Sequence, residues 1–123
     1  MSNPQTLANR YVEVWNEPDP ARRRAAIAEL WVPEGEHYVG AREVRGYPAL
    51  EERVIGSHDK WVVEANCQFR AMPNAQRLQD VLTFGWEMRG VTGEVRSAGL
   101  QFLRLNADDQ ILVDYQFIVM PPR

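Results

Sequence analysis

Beyond Ser57 the chain shows only extended segments separated by tight turn signals, and this confines its second half to an antiparallel meander. From Trp61 the residues Trp61, Val63, Ala65, Cys67 and Phe69 alternate with Val62, Glu64, Asn66, Gln68 and Arg70, a period of two that predicts a half-buried strand. Met72-Pro73-Asn74-Ala75 turns the chain into a second long strand, with Leu78, Leu82, Phe84, Trp86 and Met88 on one face beside Asp80. Gly90 to Gly93 turns it into a third strand, about Glu94 to Asn106, and Asn106 to Asp109 into a fourth, about Gln110 to Met120. Strands joined by such short turns cannot accommodate the crossover helices of a parallel sheet.

The helical signals lie in the first half. Leu7, Tyr11, Val14 and Trp15 recur at i, i+4, i+7 and i+8, one stripe of an amphipathic helix from Pro4 to Glu17. Asp19-Pro20 suits an N-cap followed by the first helical position, so a second helix runs from about Pro20 to Trp31, packing Ala26, Ile27, Leu30 and Trp31 and presenting Arg22, Arg23 and Arg24 outward. Glu36 to Val39 and Glu43 to Arg45 form a small hairpin around Gly40. A third helix follows from Tyr47 to about Ser57, with Leu50 and Val54 inside, Glu51, Glu52 and Arg53 on its charged face, and Gly56 helping to end it.

The order is therefore α-α-β-β-α-β-β-β-β, a single α+β domain over residues 1–123 in which the helices cover one face of a curved antiparallel sheet. Length and a 45% hydrophobic content support one ordinary core, with no repeat or low-complexity segment. With 14 Lys+Arg against 17 Asp+Glu there is no basic excess for neutralising phosphates, which argues against nucleic acid as a partner. Cys67, the single cysteine, has no disulfide partner, and no Cys/His cluster has metal-ligand spacing, so neither metal nor cofactor is expected. The first residues lack the basic and apolar regions of a signal peptide, and no apolar run approaches ~18 residues, so a cytoplasmic protein with no membrane partner is the expectation.

This element order resembles the NTF2-like, SnoaL-like cone fold across nearly the whole chain. Arg10-Tyr11-Val12, Glu36-His37-Tyr38-Val39-Gly40 and Phe102-Leu103-Arg104-Leu105-Asn106 are similar to segments of ketosteroid isomerases. In that family a tyrosine on the first helix donates to the substrate oxyanion, a hairpin aspartate moves the proton, and a protonated strand aspartate is the second donor. The resemblance places Tyr11 at the tyrosine, His37 at the base and Gln101 at the second donor, so two of the three depart from the family pattern.

The substituted set is chemically coherent. Histidine titrates near ~6.5 and can accept a proton at neutral pH, while a phenol and an amide donate hydrogen bonds without ionising. In this reading His37 is the base and Tyr11 and Gln101 are the donors. The alternative makes Tyr11 a core residue bonded to a backbone carbonyl and His37 a surface hairpin residue. Asp80 shares strand parity with apolar residues and is either a pocket acid or a solvated residue near a strand end. Asp114 lies opposite in parity to Val113 and Tyr115, on a face that parity alone leaves open. His58 is read as stabilising the end of the third helix.

Trp15, Tyr38, Phe84 and Trp86 are rings that can line the wide mouth of a cone and suit a flat, small apolar ligand. Val81, Thr83, Leu100 and Phe102 continue the apolar alternation on the outer sheet face, where a second copy would cover them in a homodimer. The functional expectation is a small-molecule pocket, either a cofactor-independent isomerase, cyclase or dehydratase moving a proton beside a carbonyl, or a non-catalytic binding or dimeric interaction domain.

Overall fold

The computed structural model describes residues 3–123. Helix α1 spans Pro4–Asn16, capped by the Asn3 side chain, and α2 spans Pro20–Leu30, capped by Asp19 accepting from the Arg22 N–H. The chain then enters β1 (Trp31–Val39) and β2 (Arg42–Arg45), turns through α3 (Tyr47–Ser57) and continues into a π-helical segment, His58–Glu64. Strands β3 (Gln68–Ala71), β4 (Gln76–Leu78), β5 (Val81–Arg89), β6 (Val95–Leu105) and β7 (Ile111–Met120) complete it. The result is the expected α+β cone, three helices against a curved, open sheet.

The sheet runs β2-β1-β7-β6-β5-β3, with β4 also on β5. It is mixed rather than wholly antiparallel, because β1 pairs in parallel with β7. That pairing joins the first strand to the last and puts His37 directly beside Asp114. Helix α1 packs on β3 and β5, and α2 and α3 on β1. Between them lie Tyr11, Val14, Ile27, Trp31, Leu50, Val54, Leu82, Phe84, Leu103 and Ile111, all buried. Each large apolar side chain so buried contributes roughly 1.5–3 kcal/mol.

Four local expectations are corrected. The segment from Trp61 is not a strand: α3 continues through Gly56 without a break, widens into a π-helix, and stops at Asn66, whose φ of 58° suits asparagine. Helical continuation overrode the period-two pattern, and Val63 is left 63% exposed. Trp31 starts β1 instead of ending α2. The supposed second long strand is a β4–β5 hairpin whose tip is Gln79-Asp80, so the parity linking Leu78 and Asp80 to Leu82 is broken and Leu78 is 79% exposed. Arg23 is not outward but buried, where its guanidinium donates to the carbonyl of Glu17 at 2.8 Å and closes the α1–α2 corner.

Two backbone irregularities set which way side chains face. Between Leu105↔Ile111 and Arg104↔Val113 the register shifts, placing one extra residue in β7. Ile111 and Asp114 consequently both point inward although three positions apart, and both are buried. The second irregularity is Gly99 opposite Trp86 in the β5–β6 ladder. A Cβ at Gly99 would sit 2.4 Å from Trp86 Cζ2 and 2.6 Å from the Phe117 carbonyl oxygen, so the bare backbone is what lets the indole lie across β6. Gly99→Ala is expected to lower stability by about 1–3 kcal/mol, since a backbone atom blocks the simplest relaxation; chemical denaturation of the two proteins checks this.

Candidate functional site

Four polar side chains meet at the closed end of the cone. Tyr11 comes from α1, His37 from β1, Gln101 from β6 and Asp114 from β7, and the last three are 0% exposed. Register places them together: Asp114 is paired with His37 on one side and Leu103 on the other, and Gln101 lies one inward step along β6 between Phe84 and Gln116.

Asp114 is the hub. The Tyr11 hydroxyl donates to its Oδ2 at 2.6 Å, the His37 ring approaches the same oxygen through Nδ1 at 2.8 Å, and Gln101 Nε2 donates to Oδ1 at 2.6 Å. Gln101 Nε2 also donates to the Tyr11 hydroxyl at 3.0 Å, and its Oε1 accepts from Trp86 Nε1 at 2.9 Å, which fixes the orientation of the amide. Three donors on one carboxylate make short, charge-assisted bonds that match a buried anion. On the opposite side of His37, Arg53 Nε donates to Nε2 at 3.4 Å. An acceptor at Nε2 and a carboxylate at Nδ1 together assign His37 as the neutral Nδ1–H tautomer.

Burial, followed by the charge and hydrogen bond of Asp114, holds the Tyr11 hydroxyl well above its ordinary value near 10; Arg53 and the Trp15 indole oppose this. Burial and then the neighbouring charge of Arg42 pull Arg53 down, against Tyr11 and Asp114. Arg53 nevertheless remains a cation, as arginine does in proteins, and its guanidinium lies 5.0 Å from the Trp15 ring centroid.

The open side of this network is a narrow inner chamber with about 40 Å³ of free room, lined by Tyr11, Trp15, Arg53, Trp86, Gln101 and Gln116 among others. It leads into an outer cleft of about 850 Å³ that shares Arg53, Ser57, Phe69, Trp86 and Gln116 with it. Of the residues expected at a pocket, Tyr11, Gln101, Trp15 and Trp86 line this chamber.

The other sequence-based candidates divide differently. His37 is neither a surface hairpin residue nor part of the chamber wall; it lies behind Trp15, whose ring centroid is 5.6 Å away. Tyr11 bonds to a carboxylate, not to a backbone carbonyl, and its hydroxyl and the Gln101 amide converge on Asp114 instead of on free space. Asp114 faces inward because of the β7 bulge. Phe84 is core, packed edge-on against Tyr11. Tyr38 lies on the outer sheet face, stacked on Tyr115 with its hydroxyl bonded to Glu36. Asp80 is not a pocket acid: the hairpin turn carries it to the surface, where it pairs with Arg104. His58 donates from Nδ1 to the Trp15 carbonyl and so closes the end of α1, not of α3.

Arg53, Ser57 and Gln116 were missed, although the signals existed. Leu50, Arg53 and Ser57 share one helical face by their i, i+3, i+7 spacing, and Gln116 has the parity of Asp114. Among the described residues no group of three or more His, Cys, Asp or Glu side chains is placed to hold a metal ion, and no helix is long and apolar enough to cross a membrane.

The raised Tyr11 value has a definite sign in stability. A tyrosine that stays protonated longer when folded stabilises fully below its unfolded value near 10, progressively less above it, and not at all once pH passes the folded value. The stability of the wild-type protein should therefore fall more steeply above about pH 10 than that of Tyr11→Phe. Near neutral pH, Tyr11→Phe should itself cost about 1–3 kcal/mol through loss of a bond to a buried carboxylate. Urea unfolding as a function of pH measures both.

No protein-family model matches the sequence, and no curated protein matches it significantly. Solved structures do. A SnoaL-like family protein of Agrobacterium tumefaciens with a provisional isomerase assignment superposes with a TM-score of 0.85 at 19% identity, over 96% of this chain and 98% of that one. A protein of Sinorhizobium meliloti provisionally assigned as a polyketide cyclase gives 0.65 at 12% identity, over 94% and 99%. A Catenulispora acidiphila protein with a ketosteroid isomerase-like fold, solved with trimethylamine, gives 0.67 at 16% identity, over 89% and 82%. The chain has the NTF2-like cone fold that SnoaL-like and ketosteroid isomerase-like proteins share.

Proposed function

We propose that this protein binds a small, largely apolar molecule in its cone and transfers a proton beside a carbonyl group, as an isomerase, cyclase or dehydratase that needs no cofactor. The observation that carries this is the Asp114 network at the end of an aromatic chamber. His37 is the proposed base. For its Nε2 lone pair to take the proton from the carbon beside the carbonyl, Arg53 and the Trp15 ring must both move aside, and the Asp114 carboxylate, already on Nδ1–H, then stabilises the imidazolium that forms. Tyr11 and Gln101 act on the carbonyl oxygen only by exchanging partners with Asp114; in the resting arrangement they hold Asp114 in place. The solved neighbours with provisional isomerase and cyclase assignments support a reaction of this class.

A non-catalytic binding role is favoured by a different observation. The Tyr11 and Gln101 donors are taken up within the network, and His37 has no surface on the chamber. Deuterium uptake from D2O into the carbon beside the carbonyl of a bound aryl ketone separates the two readings. The catalytic reading expects uptake above the solvent rate and a fall of roughly 10²-fold or more in His37→Ala. Binding without exchange leaves only the binding role.

We also propose that the outer sheet face pairs two copies of the chain. In the middle of β7 the inward positions are polar, Asp114 and Gln116, while Tyr115, Phe117 and Val119 point out and are exposed. They continue onto Leu100 and Phe102, whose ring packs edge-on against Phe117, and onto Tyr38 stacked on Tyr115. An apolar band of this kind suits a self-complementary, twofold interface. Sedimentation should show a dimer at micromolar concentration, with a contact of at least ~1,000 Å² in total. Phe117→Glu, at a 56% exposed position, should convert it to a folded monomer; a wild-type monomer removes this part of the reading.

A further inference from the structure

The inner chamber contains one permanent charge, and that charge has no partner. Arg53 donates through Nε to His37 and lies over Trp15, but among the described residues no carboxylate is within ion-pair distance of it, and neither Nη group donates to a protein acceptor. Asp114, the nearest buried anion, already accepts three bonds and is separated from Arg53 by the His37 ring. A second cation, Arg42, lies close enough to act on Arg53 and lines the same outer cleft, with no ion pair of its own among the described residues. Leaving a guanidinium partly buried, unpaired and beside a like charge costs folding energy. Such an arrangement is stabilised when an anion occupies it.

A second observation concerns a neutral donor. The Trp15 indole N–H is buried, acts only weakly on the Tyr11 hydroxyl and has no acceptor at full hydrogen-bond geometry, and its ring lines the same chamber. Buried polar hydrogens without acceptors are uncommon, and one in a pocket wall marks a place where a ligand oxygen or a water fits. Arg53 and Trp15 are thus two donors short of acceptors at one chamber. The room available, about 40 Å³, accepts a group of a few atoms and not a ring. The outer cleft beyond it has the larger volume and the apolar walls Trp61, Phe69, Trp86 and Met88; its remaining charges, Arg42 and Lys60 against Glu43 and Glu52, balance.

From this we infer that the ligand is an apolar, ring-bearing carboxylate, with its carboxylate in the inner chamber on Arg53 and the Trp15 indole N–H and its ring in the outer cleft. The inference rests on the reading of this cone as a small-molecule pocket and adds the charge of the molecule it takes. Guanidinium and carboxylate match as planar, two-pronged partners, and the bond is strongest where water is excluded. An uncharged isostere of the same shape fills the cleft equally well but leaves Arg53 unpaired.

Isothermal titration with 2-naphthoate and 2-naphthamide, near neutral pH, tests this on the full chain and needs no knowledge of the natural ligand. The expected result is that naphthoate binds at least about tenfold tighter than naphthamide, in keeping with a hydrogen-bonded charge pair. Arg53→Gln should erase that preference, and Arg53→Lys should retain only part of it, since lysine keeps the charge but not the two-pronged fork. Equal affinity of the wild-type protein for acid and amide would overturn the inference and leave the pocket reading intact. A preference for the acid that survives in Arg53→Gln would also overturn it, by placing the anion elsewhere. Binding of neither probe would sink both. The wild-type comparison stands even if a variant fails to fold.

Discussion

A carboxylate removed from water is the constraint around which this molecule is arranged. Asp114 is fully buried, and an unmatched charge there would cost several kcal/mol even after relaxation. The fold meets that requirement with Tyr11 from the first helix, His37 from the first strand and Gln101 from the neighbouring strand. Because the partners come from opposite ends of the chain, the network forms only when the parallel β1–β7 pairing has closed the sheet. Gly99 takes part at one remove: its missing Cβ lets Trp86 cross β6, and the Trp86 N–H sets the direction of the Gln101 amide that faces Asp114.

The middle of the last strand is inverted relative to an ordinary half-buried strand, with the polar Asp114 and Gln116 inside and the rings of Tyr115 and Phe117 outside. One irregularity has both effects. The extra residue in β7 turns Asp114 and Gln116 toward the helices and Tyr115 and Phe117 away from them. The interior gains a polar end within an aromatic cavity, and the exterior gains an apolar band. The polar end of the chamber and the exposed apolar band therefore depend on the same backbone feature, and a change of register in β7 would exchange the two faces.

Much of this was legible in the sequence where the determinants are local. The Asn3 and Asp19 caps, the prolines that begin α2 and α3, and the turns around Gly93 and Asp109 delimit elements through near-neighbour chemistry, and the elements lie within a few residues of where that chemistry puts them. The failures share a cause. Trp61 to Glu64 carries a strand-like alternation, but it follows α3 with no obligatory stop, and the helix simply continued. Strand parity put Asp80 on the apolar face, as a pocket acid or a solvated residue, and a two-residue hairpin resets that parity and leaves the solvated one. Arg53 was read with the charged face of α3, although its spacing from Leu50 and Ser57 turns it to the cavity.

Taken alone, the sequence determined the order and kind of most elements and the helix-covered sheet, because periodicity, capping and turn chemistry act over a few residues; Tyr11, His37 and Gln101 were grouped only by the family resemblance. The three-dimensional structure decided what those residues do to one another. It made Asp114 their common acceptor, placed His37 behind Trp15 and Arg53, and left Arg53 without a counter-ion among the described residues. These outcomes depend on a bulge that reverses side-chain direction and on contacts across 77 to 103 residues of chain. No local pattern encodes either, since a strand's facing is settled only when its neighbours and its register are in place.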